Sequence, residues 1–340
     1  MDVSFEVYRG SPGGYIVSDT TTRTLGFNEV YIEITHSGIC GTDEHFLKST
    51  QVLGHEGVGI IRRLGPNVTT VKIGDRVGFG YVRKVCSACD NCGIGWDQYC
   101  RSARNYGECD FDVGTFSHGT VWDASCVFPI PDGYLSEDAA PLICAGATVW
   151  SCLRNFGVRP TDRVGIMGVG GLGHLAIKLA AEMGYQVVAL SRSCDKKKDT
   201  LQYGAQEFHI LDQIKRSSFQ PLKHLLLCGS HLGDLGSLIS LMDTKGTIYP
   251  LTASLTETPV PFLPMTLRGV RIQGSSVASR QDIRELIEFC NRKRVKPTIM
   301  KFPMTLNGIE EAMQKLRDGE IRYRAVLVRE ESLVASPVGT

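Results

Sequence analysis

The sequence predicts an α/β protein of two domains, one β-rich and one built on a doubly wound parallel sheet. Three observations predict this fold class. The chain has 340 residues, which is enough for two domains of ordinary size. Short strands separated by glycine-containing turns fill roughly the first 150 residues. From there onwards strands alternate with helices, which is the pattern of a parallel sheet covered by helices.

The β-rich domain is predicted over residues 1–151. Its segment VYIEITHSGIC (30–40) alternates apolar and polar residues, as a half-buried strand does. The segments GVGIIRRLG (57–65) and DRVGFGYV (75–82) are short strands interrupted by glycine, and turn residues join them.

The second domain is predicted over residues 152–285. It begins with RVGIMGVGGLGHLAIKLAAEMG (163–184), which has the pattern of a strand, a glycine-rich turn and a helix rich in alanine and leucine. LGSLISLM (235–242) is predicted as a helix between later strands. The apolar segments predicted as those strands are QVVALS (186–191), HLLLCGS (224–230) and GTIYPL (246–251).

A last helix is predicted over RQDIRELIEFCNRKR (280–294). Its apolar residues at positions 283, 286, 287 and 290 have helical spacing. Within this segment the chain is expected to return to the first domain, which it completes with residues 286–340.

Composition excludes several classes of protein. Lys plus Arg number 37 and Asp plus Glu 36, and this balance disfavours a nucleic-acid-binding protein. No run of ~18 apolar residues predicts a membrane span. The first residues, MDVSFEVYRGSPGG, lack the basic and apolar segments of a secretory signal. We therefore expect a cytoplasmic protein whose twelve cysteines bind metal or stay as free thiols.

The glycines of GVGGLG match the dinucleotide-binding pattern G-x-G-x-x-G. Gly168 permits a tight turn, Gly170 lets the backbone approach a pyrophosphate, and Gly173 lets the helix pack on the strand. Glycines also serve ordinary structural turns, which is the alternative interpretation. The position of the motif between a strand and a helix favours a dinucleotide, with its phosphates at the helix N-terminus.

The end of the next strand favours NADP(H) over NAD(H). An NAD site usually places an acidic residue there for the ribose 2′-hydroxyl, and this chain has Ser191 instead. Arg192 and Lys196 follow, and a guanidinium suits a 2′-phosphate. The alternatives are that these cations are a solvated loop and that Asp195 reaches the ribose.

CSACDNCGIGWDQYC (86–100) places four cysteines at the spacing C-x2-C-x2-C-x7-C. Four thiolates on a tight loop suit a closed tetrahedral zinc site. A redox pair needs only two cysteines, and an iron–sulfur cluster, although possible, has no other support in the sequence. Four protein ligands leave no position for a substrate, so this lobe is predicted to hold a structural zinc at Cys86, Cys89, Cys92 and Cys100.

A catalytic zinc needs three protein ligands and an open position, so its ligands must lie elsewhere. The candidates are Cys40 at a strand end, the pair His55 and Glu56 in GHEG, and Cys144 in PLICAGA. Taken singly, each has an ordinary explanation, since Cys144 in an apolar context is more often a small buried hydrophobe.

The chain resembles the zinc-dependent medium-chain dehydrogenase/reductase family, and within it the cinnamyl-alcohol-dehydrogenase-like branch of NADP-dependent alcohol dehydrogenases. The resemblance covers nearly the whole chain. It implies a GroES-like catalytic domain and a Rossmann domain. The matching segments, besides the four-cysteine lobe, are GICGTDEH, GHEGVG, PLICAGATVW, GVGGLGHLAIKLA, SRSCDKKK, GSSVASRQDIREL and IRYRAVLV.

The resemblance implies roles around a catalytic zinc. Cys40, His55 and Cys144 would bind the ion. Glu56 and Asp43 would lie beside it, either exchanging as a ligand or hydrogen-bonding to one.

The same resemblance implies the residues that handle protons and cofactor. Thr42 would hydrogen-bond the substrate oxygen, and His45 would extend a proton relay towards solvent. Thr148 and Val149 would border the nicotinamide. The implied cofactor-binding residues are Gly168, Gly170, Gly171, Leu172, Gly173, Ser191, Arg192, Lys196, Thr148, Ser275 and Ser276.

The implied reaction is hydride transfer between nicotinamide C4 and a zinc-bound carbonyl or alcohol. Zinc would polarise the oxygen, and NADPH would supply hydride at a fixed position. An aromatic, allylic or specialised-metabolite substrate, two zinc ions per chain and a homodimer are expected. Reduction of an iminium or conjugated C=C bond, and a non-catalytic NADP-binding protein, stay open as alternatives.

Residues 46–53 depart from the family pattern. Only fourteen residues separate Cys40 from His55, whereas the segment is several residues longer in similar proteins. Because this segment helps to wall the substrate cleft in the family, we expect a cleft of altered shape. The remaining cysteines, at 109, 126, 152, 194, 228 and 290, lack ligand spacing and are expected to be structural or surface thiols, and His118, His174 and His209 to be structural.

Overall fold

The division of the chain into two units follows from where its contacts lie. The computed structural model describes residues 1–229, 233–252 and 257–329. Among these residues, one unit comprises 1–147 and 278–329, and the other comprises those between 148 and 277.

Both sequence-based domain boundaries lie on the C-terminal side of those in the structure, for a local reason at each. The first structural boundary falls inside one continuous helix, Ala145–Asn155, where the sequence has no turn residue to mark it. The second falls just before Ser279, which caps the helix Arg280–Lys293. That whole helix therefore belongs to the first unit. The last residues of the predicted segment 286–340, from 330 onwards, lie outside the described residues.

Seventeen strands occur in the described residues. They are β1 (Asp2–Arg9), β2 (Val17–Thr24), β3 (Glu29–Ile39), β4 (Glu56–Leu64), β5 (Arg76–Gly80), β6 (Val82–Lys84), β7 (Arg104–Asn105), β8 (Gly119–Asp123), β9 (Phe128–Pro129), β10 (Arg163–Met167), β11 (Gln186–Ser191), β12 (Glu207–Ile210), β13 (Leu222–Leu227), β14 (Met242–Pro250), β15 (Arg271–Ile272), β16 (Ile299–Pro303) and β17 (Arg324–Val328).

Ten α-helices accompany them over the same ranges. They are α1 (Gly41–Glu44), α2 (Asp90–Gly93), α3 (Ser136–Ala139), α4 (Ala145–Asn155), α5 (Gly171–Glu182), α6 (Lys197–Gln202), α7 (Leu235–Ser240), α8 (Phe262–Arg268), α9 (Arg280–Lys293) and α10 (Leu306–Arg317). Short 3₁₀ helices cover Asp97–Tyr99, Ala124–Cys126, Ala140–Leu142 and Leu211–Gln213. The strands and helices predicted from periodicity are present, although Ser230 at the end of one predicted strand is not among the described residues.

The first unit is built on a seven-stranded sheet. Its order is β16-β17-β3-β4-β5-β9, and β8 also pairs with β3. Ile32 and Ile34 of β3 are fully buried while Glu33 between them is half-buried, which confirms the alternation predicted for this strand. Phe79 and Trp122 pack in the same core with ring centroids 5.1 Å apart. Each such side chain contributes about 1.5–3 kcal/mol of hydrophobic free energy on burial.

The second unit is a six-stranded parallel sheet of order β12-β11-β10-β13-β14-β15. This is the strand order of a doubly wound dinucleotide-binding sheet, and it confirms the predicted fold class. All five residues of the central strand β10 are buried, as expected for a parallel strand covered on both faces. The glycine-rich turn follows β10 directly, so the sheet delivers it to the carboxyl edge where ligands bind such sheets.

Within the described ranges, no helix has both the length and the apolar character needed to cross a bilayer.

Candidate active site

Cys40 lies between the end of β3 and the first turn of α1. It is the N-cap of that helix, and its backbone N–H donates to Oδ2 of Asp43 at 2.9 Å. Asp43 stands at the third helical position, where a carboxylate can satisfy a free N–H at the helix start. This local bond fixes the backbone that carries the Cys40 thiol.

The second carboxylate oxygen of Asp43 orients His55. Oδ1 of Asp43 lies 2.9 Å from Nδ1 of His55, and it also accepts from the Tyr106 hydroxyl at 3.1 Å and from the Gly54 N–H at 3.2 Å. Because a carboxylate is an acceptor, Nδ1 of His55 carries a proton, which leaves Nε2 as the nitrogen that a metal ion would use. Burial lowers the pKa of His55, but the charges of Asp43 and Cys40 raise it well above its usual range, so a metal ion would bind in place of a second proton. Nε2 is buried and has no hydrogen-bond partner among the described residues.

Three other side chains converge with His55 around its Nε2 atom. The ligand atoms of Cys40, His55, Glu56 and Cys144 all lie within 4.8 Å of one another, and all four residues are buried. Two sulfurs, an imidazole nitrogen and a carboxylate oxygen are ligands that zinc accepts in tetrahedral sites. An unpartnered nitrogen of a buried histidine is what a metal would satisfy, so these residues fit the ion.

The cluster is strongly coupled electrostatically. A hydrogen bond with Cys144 holds the pKa of Cys40 well below its usual range, although burial opposes this shift. The same hydrogen bond, with burial, raises the pKa of Cys144. Burial raises the pKa of Glu56 to about 7, against the lowering effect of the Arg324 charge. Zinc binds cysteine as the thiolate, so a metal ion at this cluster would displace the protons that its ligands hold without it.

Arg324 was not singled out in the sequence, yet it forms a buried ion pair with Glu56. It begins β17, whose next residue, Ala325, pairs with Ile39 at the end of β3. Oε1 of Glu56 also accepts from the backbone N–H of Ala145 at 3.3 Å. The signals available in the sequence were its place in the matching segment IRYRAVLV and a charged residue at the start of the apolar strand RAVLV.

Thr42 and His45 lie on the same short helix that Cys40 caps. The hydroxyl oxygen of Thr42 is 3.7 Å from the Cys40 sulfur. His45 ends the helix, its backbone N–H donates to the Thr42 carbonyl at 3.1 Å, and its side chain is exposed. The helix therefore leads from the buried cluster to solvent.

The short segment 46–53 is packed closely against the same network. The ring of Phe46 meets Tyr106 edge-on with centroids 5.1 Å apart. Farther along, the Gln51 amide donates to the carbonyls of Val52 and Val113, both at 2.8 Å. The segment that joins Cys40 to His55 is therefore short, and the side chains of Phe46 and Gln51 hold it against neighbouring loops.

The four cysteines of residues 86–100 form a second cluster. Sulfur–sulfur distances are 3.5 Å for Cys100 and Cys86, 3.6 Å for Cys89 and Cys92, and 3.9 Å for Cys86 and Cys92. Sulfurs at ~2.3 Å from a tetrahedral zinc lie about 3.8 Å apart, so the cluster fits that ion. Backbone N–H groups of Cys86 and Cys89 each donate to a sulfur at 3.3 Å, which favours thiolates.

This lobe is tied to the start of α9 through one arginine. The Arg280 backbone and side chain both donate to the Asp97 carboxylate, at 2.9 and 2.5 Å. The guanidinium also reaches Ser87 Oγ at 3.2 Å and the Ser125 carbonyl at 3.3 Å. The lobe therefore has a fixed attachment within the first unit.

The glycines of the dinucleotide motif have distinct structural requirements. Gly168 has φ +90°, and a Cβ there would lie 2.6 Å from the backbone of Gly229. A Cβ on Gly173 would collide with the Gly168 carbonyl oxygen, so the helix can approach the strand only with glycine. A Cβ on Gly170, the N-cap of α5, would meet nothing within 4 Å. That open space is where a pyrophosphate would approach the helix N-terminus.

A cavity of about 800 Å³ adjoins this turn in the second unit. Gly168, Gly170 and Gly171 line it, and so do the predicted residues at the end of β11. Those residues are Ser191, Arg192 and Lys196. The Lys196 ammonium donates to the Val169 carbonyl at 2.8 Å, which holds the cation beside the glycine turn.

Other predicted cofactor residues do not line this cavity, and nor does Asp195, whose carboxylate accepts from Ser193 Oγ at 2.8 Å. Ser275 instead donates its hydroxyl to Ser151 at 3.3 Å. The predicted residues outside the cavity lining are Thr148, Leu172, Gly173, Ser275 and Ser276.

The cysteines and histidines predicted to be structural form no further metal cluster in the part of the chain that is described. His174 is buried and its Nδ1 lies 3.2 Å from the Gly170 carbonyl, at the start of α5. His118 and His209 lie beside glutamates on the surface, Glu6 and Glu207.

Comparison with known proteins places these two clusters in a family context. Residues 26–132 match the family "Alcohol dehydrogenase GroES-like domain", and residues 171–292 match "Zinc-binding dehydrogenase". NADP-dependent alcohol dehydrogenase C 1 of Mycolicibacterium smegmatis is 33% identical over 327 residues, covering 90% of this chain and 92% of that protein. This chain belongs to the zinc-binding alcohol dehydrogenase family.

Further relatives place this zinc-binding dehydrogenase near one branch of the family. A probable cinnamyl alcohol dehydrogenase 1 of Aralia cordata is 34% identical over 336 residues, covering 93% of this chain and 92% of that protein. The solved cinnamyl alcohol dehydrogenase of Sorghum bicolor is 27% identical, with a TM-score of 0.89 and coverage of 99% and 100%. The structure of such an enzyme from Helicobacter pylori complexed with NADP(H) is 26% identical, with a TM-score of 0.90 and coverage of 97% and 99%.

The predicted family, fold class and enzyme class are confirmed. The dehydrogenase has a GroES-like unit and a dinucleotide-type parallel sheet, and it is an oxidoreductase. Sequence reasoning missed Arg324 and Tyr106 beside the metal cluster, and Arg216 and Asp234 in the cavity lining. Arg324 lies in the matching segment IRYRAVLV and the other three lie outside every matching segment, so it is their positions in the folded chain that identify them.

Proposed function

We propose that this protein is a zinc-dependent, NADP(H)-linked alcohol dehydrogenase that also works as an aldehyde reductase. The observation that carries the proposal is the buried cluster of Cys40, His55, Glu56 and Cys144, with an unpartnered His55 Nε2 at its centre. The names of the relatives support the same activity, since they include NADP-dependent and cinnamyl alcohol dehydrogenases.

Cys40, His55 and Cys144 would hold the catalytic zinc, and Glu56 would be a ligand that can exchange. A zinc ion held there supplies a Lewis acid that polarises a carbonyl oxygen or acidifies an alcohol. Asp43 keeps Nδ1 of His55 protonated, and so keeps Nε2 available as a ligand. Arg324 compensates the charge of the buried Glu56 carboxylate.

Proton transfer would use the helix α1, which leads from the metal cluster to solvent. The Thr42 hydroxyl would hydrogen-bond the substrate oxygen and release or accept the proton at Oγ1. His45, exposed at the end of the helix, would exchange that proton with solvent. Thr42 lies within the four-residue helix α1, and His45 is its C-cap residue.

The cofactor would bind on the second unit, where it would supply hydride from its nicotinamide. The glycine turn and the α5 N-terminus suit the pyrophosphate. Ser191 stands where an NAD site has a carboxylate, so no negative charge there would repel a 2′-phosphate. Arg192 and Lys196 line the same cavity. Thr148, Val149, Ser275 and Ser276 are proposed to contact the nicotinamide end.

The four-cysteine lobe would hold a second, structural zinc. Cys86, Cys89, Cys92 and Cys100 would fill all four tetrahedral positions, so substrate has no access to that ion. Its role would be to hold residues 86–100 in the conformation that meets Arg280.

We propose aromatic or allylic aldehydes and alcohols as the substrate class. The cinnamyl alcohol dehydrogenase names of several relatives support this choice. The short segment 46–53, folded against Tyr106, would give the substrate site a shape of its own.

We further propose a cytoplasmic homodimer. None of the twelve cysteines forms a disulfide, which is usual for proteins of the reducing cytosol. β15 is an edge strand of the second unit's sheet, so its outer hydrogen-bonding groups face away from the sheet. The adjacent helix α8 exposes Phe262, Leu263 and Leu267 at 75%, 69% and 77%. A second copy pairing at this edge would bury those side chains, and sedimentation of Leu267→Glu should then show a monomer.

The activity is tested by NADPH oxidation with a panel of aromatic, allylic and aliphatic aldehydes. Wild type should contain two zinc ions per chain and turn over at least the aromatic or allylic members. Cys40→Ser should retain one zinc ion and lose activity. Cys109→Ser, which alters a cysteine outside both clusters, should keep both zinc ions. Turnover retained by Cys40→Ser would overturn the zinc mechanism, and a single zinc in wild type would exclude the proposed catalytic ion.

A further inference from the structure

Tyr106 lies behind the metal cluster and is almost fully buried, at 2% exposure. It follows the short strand β7, and its backbone N–H donates to the Tyr81 carbonyl at 2.8 Å. Its hydroxyl donates to Asp43 Oδ1 at 3.1 Å and accepts from the Gly54 N–H at 3.1 Å. Both hydrogen-bonding functions of the phenol are therefore used.

The ring of Tyr106 supports the imidazole of His55 from one face. The two ring centroids are 4.8 Å apart with planes inclined by 31°. Phe46 meets the tyrosine ring edge-on at 5.1 Å. Gly107 has φ +77°, and a Cβ there would collide with the Phe46 ring, so glycine is required for this approach. The imidazole is thus restrained both at its edge, by Asp43, and at its face.

We infer that Tyr106 is a positioning residue for the catalytic metal, acting through Asp43 and His55 without touching the ion. Its hydroxyl fixes the Asp43 carboxylate, the carboxylate fixes Nδ1 of His55, and the ring prevents the imidazole from tilting. Nε2 is then directed at the sulfurs of Cys40 and Cys144. The inference rests on the proposed function, because it supposes that a metal binds there.

Loss of the Tyr106 hydroxyl should lower the zinc affinity of the catalytic site without abolishing zinc binding. Groups that hydrogen-bond to a metal-bound histidine or its carboxylate change metal affinity by roughly 10–100-fold when removed. In Tyr106→Phe the carboxylate keeps its bonds with His55 and Gly54 but loses the phenol. We expect a change near the lower end of that range.

The test is zinc release to a chromogenic chelator, measured for wild type, Tyr106→Phe and Tyr134→Phe. Tyr134 is a matched control: it is equally buried in the first unit, and its hydroxyl donates to the Val295 carbonyl at 2.6 Å, away from both clusters. Tyr106→Phe should release one zinc per chain about ten times faster than wild type. The zinc of the four-cysteine lobe should be released at the wild-type rate, and Tyr134→Phe should match wild type throughout.

A second readout separates positioning from a general loss of stability. Cobalt(II) at the catalytic site should show a shifted visible absorption band in Tyr106→Phe and an unchanged one in Tyr134→Phe. Equal release rates for wild type and Tyr106→Phe, or equal acceleration by both substitutions, would overturn the inference and leave the proposed function intact. One zinc per chain in wild type would overturn both.

Discussion

Arg324 and Glu56 form an ion pair in which both side chains are buried, with exposures of 4% and 0%. The pair joins β17 to the start of β4 beside the metal ligands. Removing one member of a buried pair leaves a charge without compensation and costs about 3–5 kcal/mol. We therefore predict that Arg324→Met lowers the free energy of unfolding by that amount in urea titrations.

The double variant Arg324→Met/Glu56→Leu is the control for this prediction. It removes both charges, so it should be more stable than the single variant. A surface pair offers a second comparison, because Lys315→Ala breaks an exposed contact with Glu311 and should change stability by less than about 0.5 kcal/mol. Equal loss in the single and double variants would contradict the electrostatic explanation.

Substitutions at two motif glycines should separate folding from cofactor binding. Gly173→Ala places a methyl group against the Gly168 carbonyl and should lower the melting temperature. Gly170→Ala has free space and an ordinary negative φ, so the protein should keep its stability. Its methyl group would nevertheless occupy the approach of the pyrophosphate, and NADPH affinity should fall. Thermal unfolding and NADPH fluorescence titration together check both variants, and normal NADPH affinity in Gly170→Ala would contradict the phosphate assignment.

Cofactor preference should depend on Arg192. Arg192 lines the cavity beside Ser191, and a hydrogen bond to a charged group contributes about 1.5–3 kcal/mol. Arg192→Ala should therefore raise the KM for NADPH by roughly 10–100-fold and leave that for NADH nearly unchanged. Arg159→Ala, which alters an exposed arginine outside the cavity lining, serves as control. A parallel loss with both cofactors would assign Arg192 a role other than reading the 2′-phosphate.

Stability should fall in mild acid because of His36. Burial lowers the pKa of this residue from 6.5 to about 4, with Glu137 opposing the shift and Lys301 and Arg76 adding to it. The unfolded chain therefore takes up a proton below pH 6.5 that the folded chain excludes, and stability is lost as the pH falls from 6.5 towards 4. At 1.36 kcal/mol per pKa unit the full loss is about 3 kcal/mol.

The measurement is the free energy of unfolding in urea at pH 7.5 and at pH 5. His36→Gln cannot titrate, so the difference between the two pH values should be smaller in this variant by about 2 kcal/mol, the part of the loss due between pH 6.5 and 5. An undiminished pH dependence would show that other groups control it.

Short-range geometry explains what the sequence by itself determined. The cysteines of residues 86–100 are close in the chain, so their spacing alone predicts convergence on one ion. The glycine motif is also largely local, since the positive φ of Gly168 and the approach of Gly173 to the Gly168 carbonyl arise within six residues, whereas the contact of Gly168 with Gly229 depends on the fold. Alternating and helical periodicities similarly predicted β3, α9 and the doubly wound sheet, because burial of one face acts along each element.

The catalytic cluster required both the family resemblance and the fold. Cys40 follows β3 and His55 precedes β4, and the antiparallel pairing of these strands brings the two residues together. Cys144 is far away in the sequence and reaches the cluster only through packing of the chain before α4.

Only the tertiary structure decided which residues support that cluster. Arg324 reaches Glu56 because β17 pairs with β3, and Tyr106 reaches Asp43 because the loop after β7 packs under the short segment 46–53. The physical reason is that a buried hydrogen bond or ion pair depends on distances between elements remote in sequence. No periodicity or spacing along the chain encodes those distances, whereas the close packing of the core sets them.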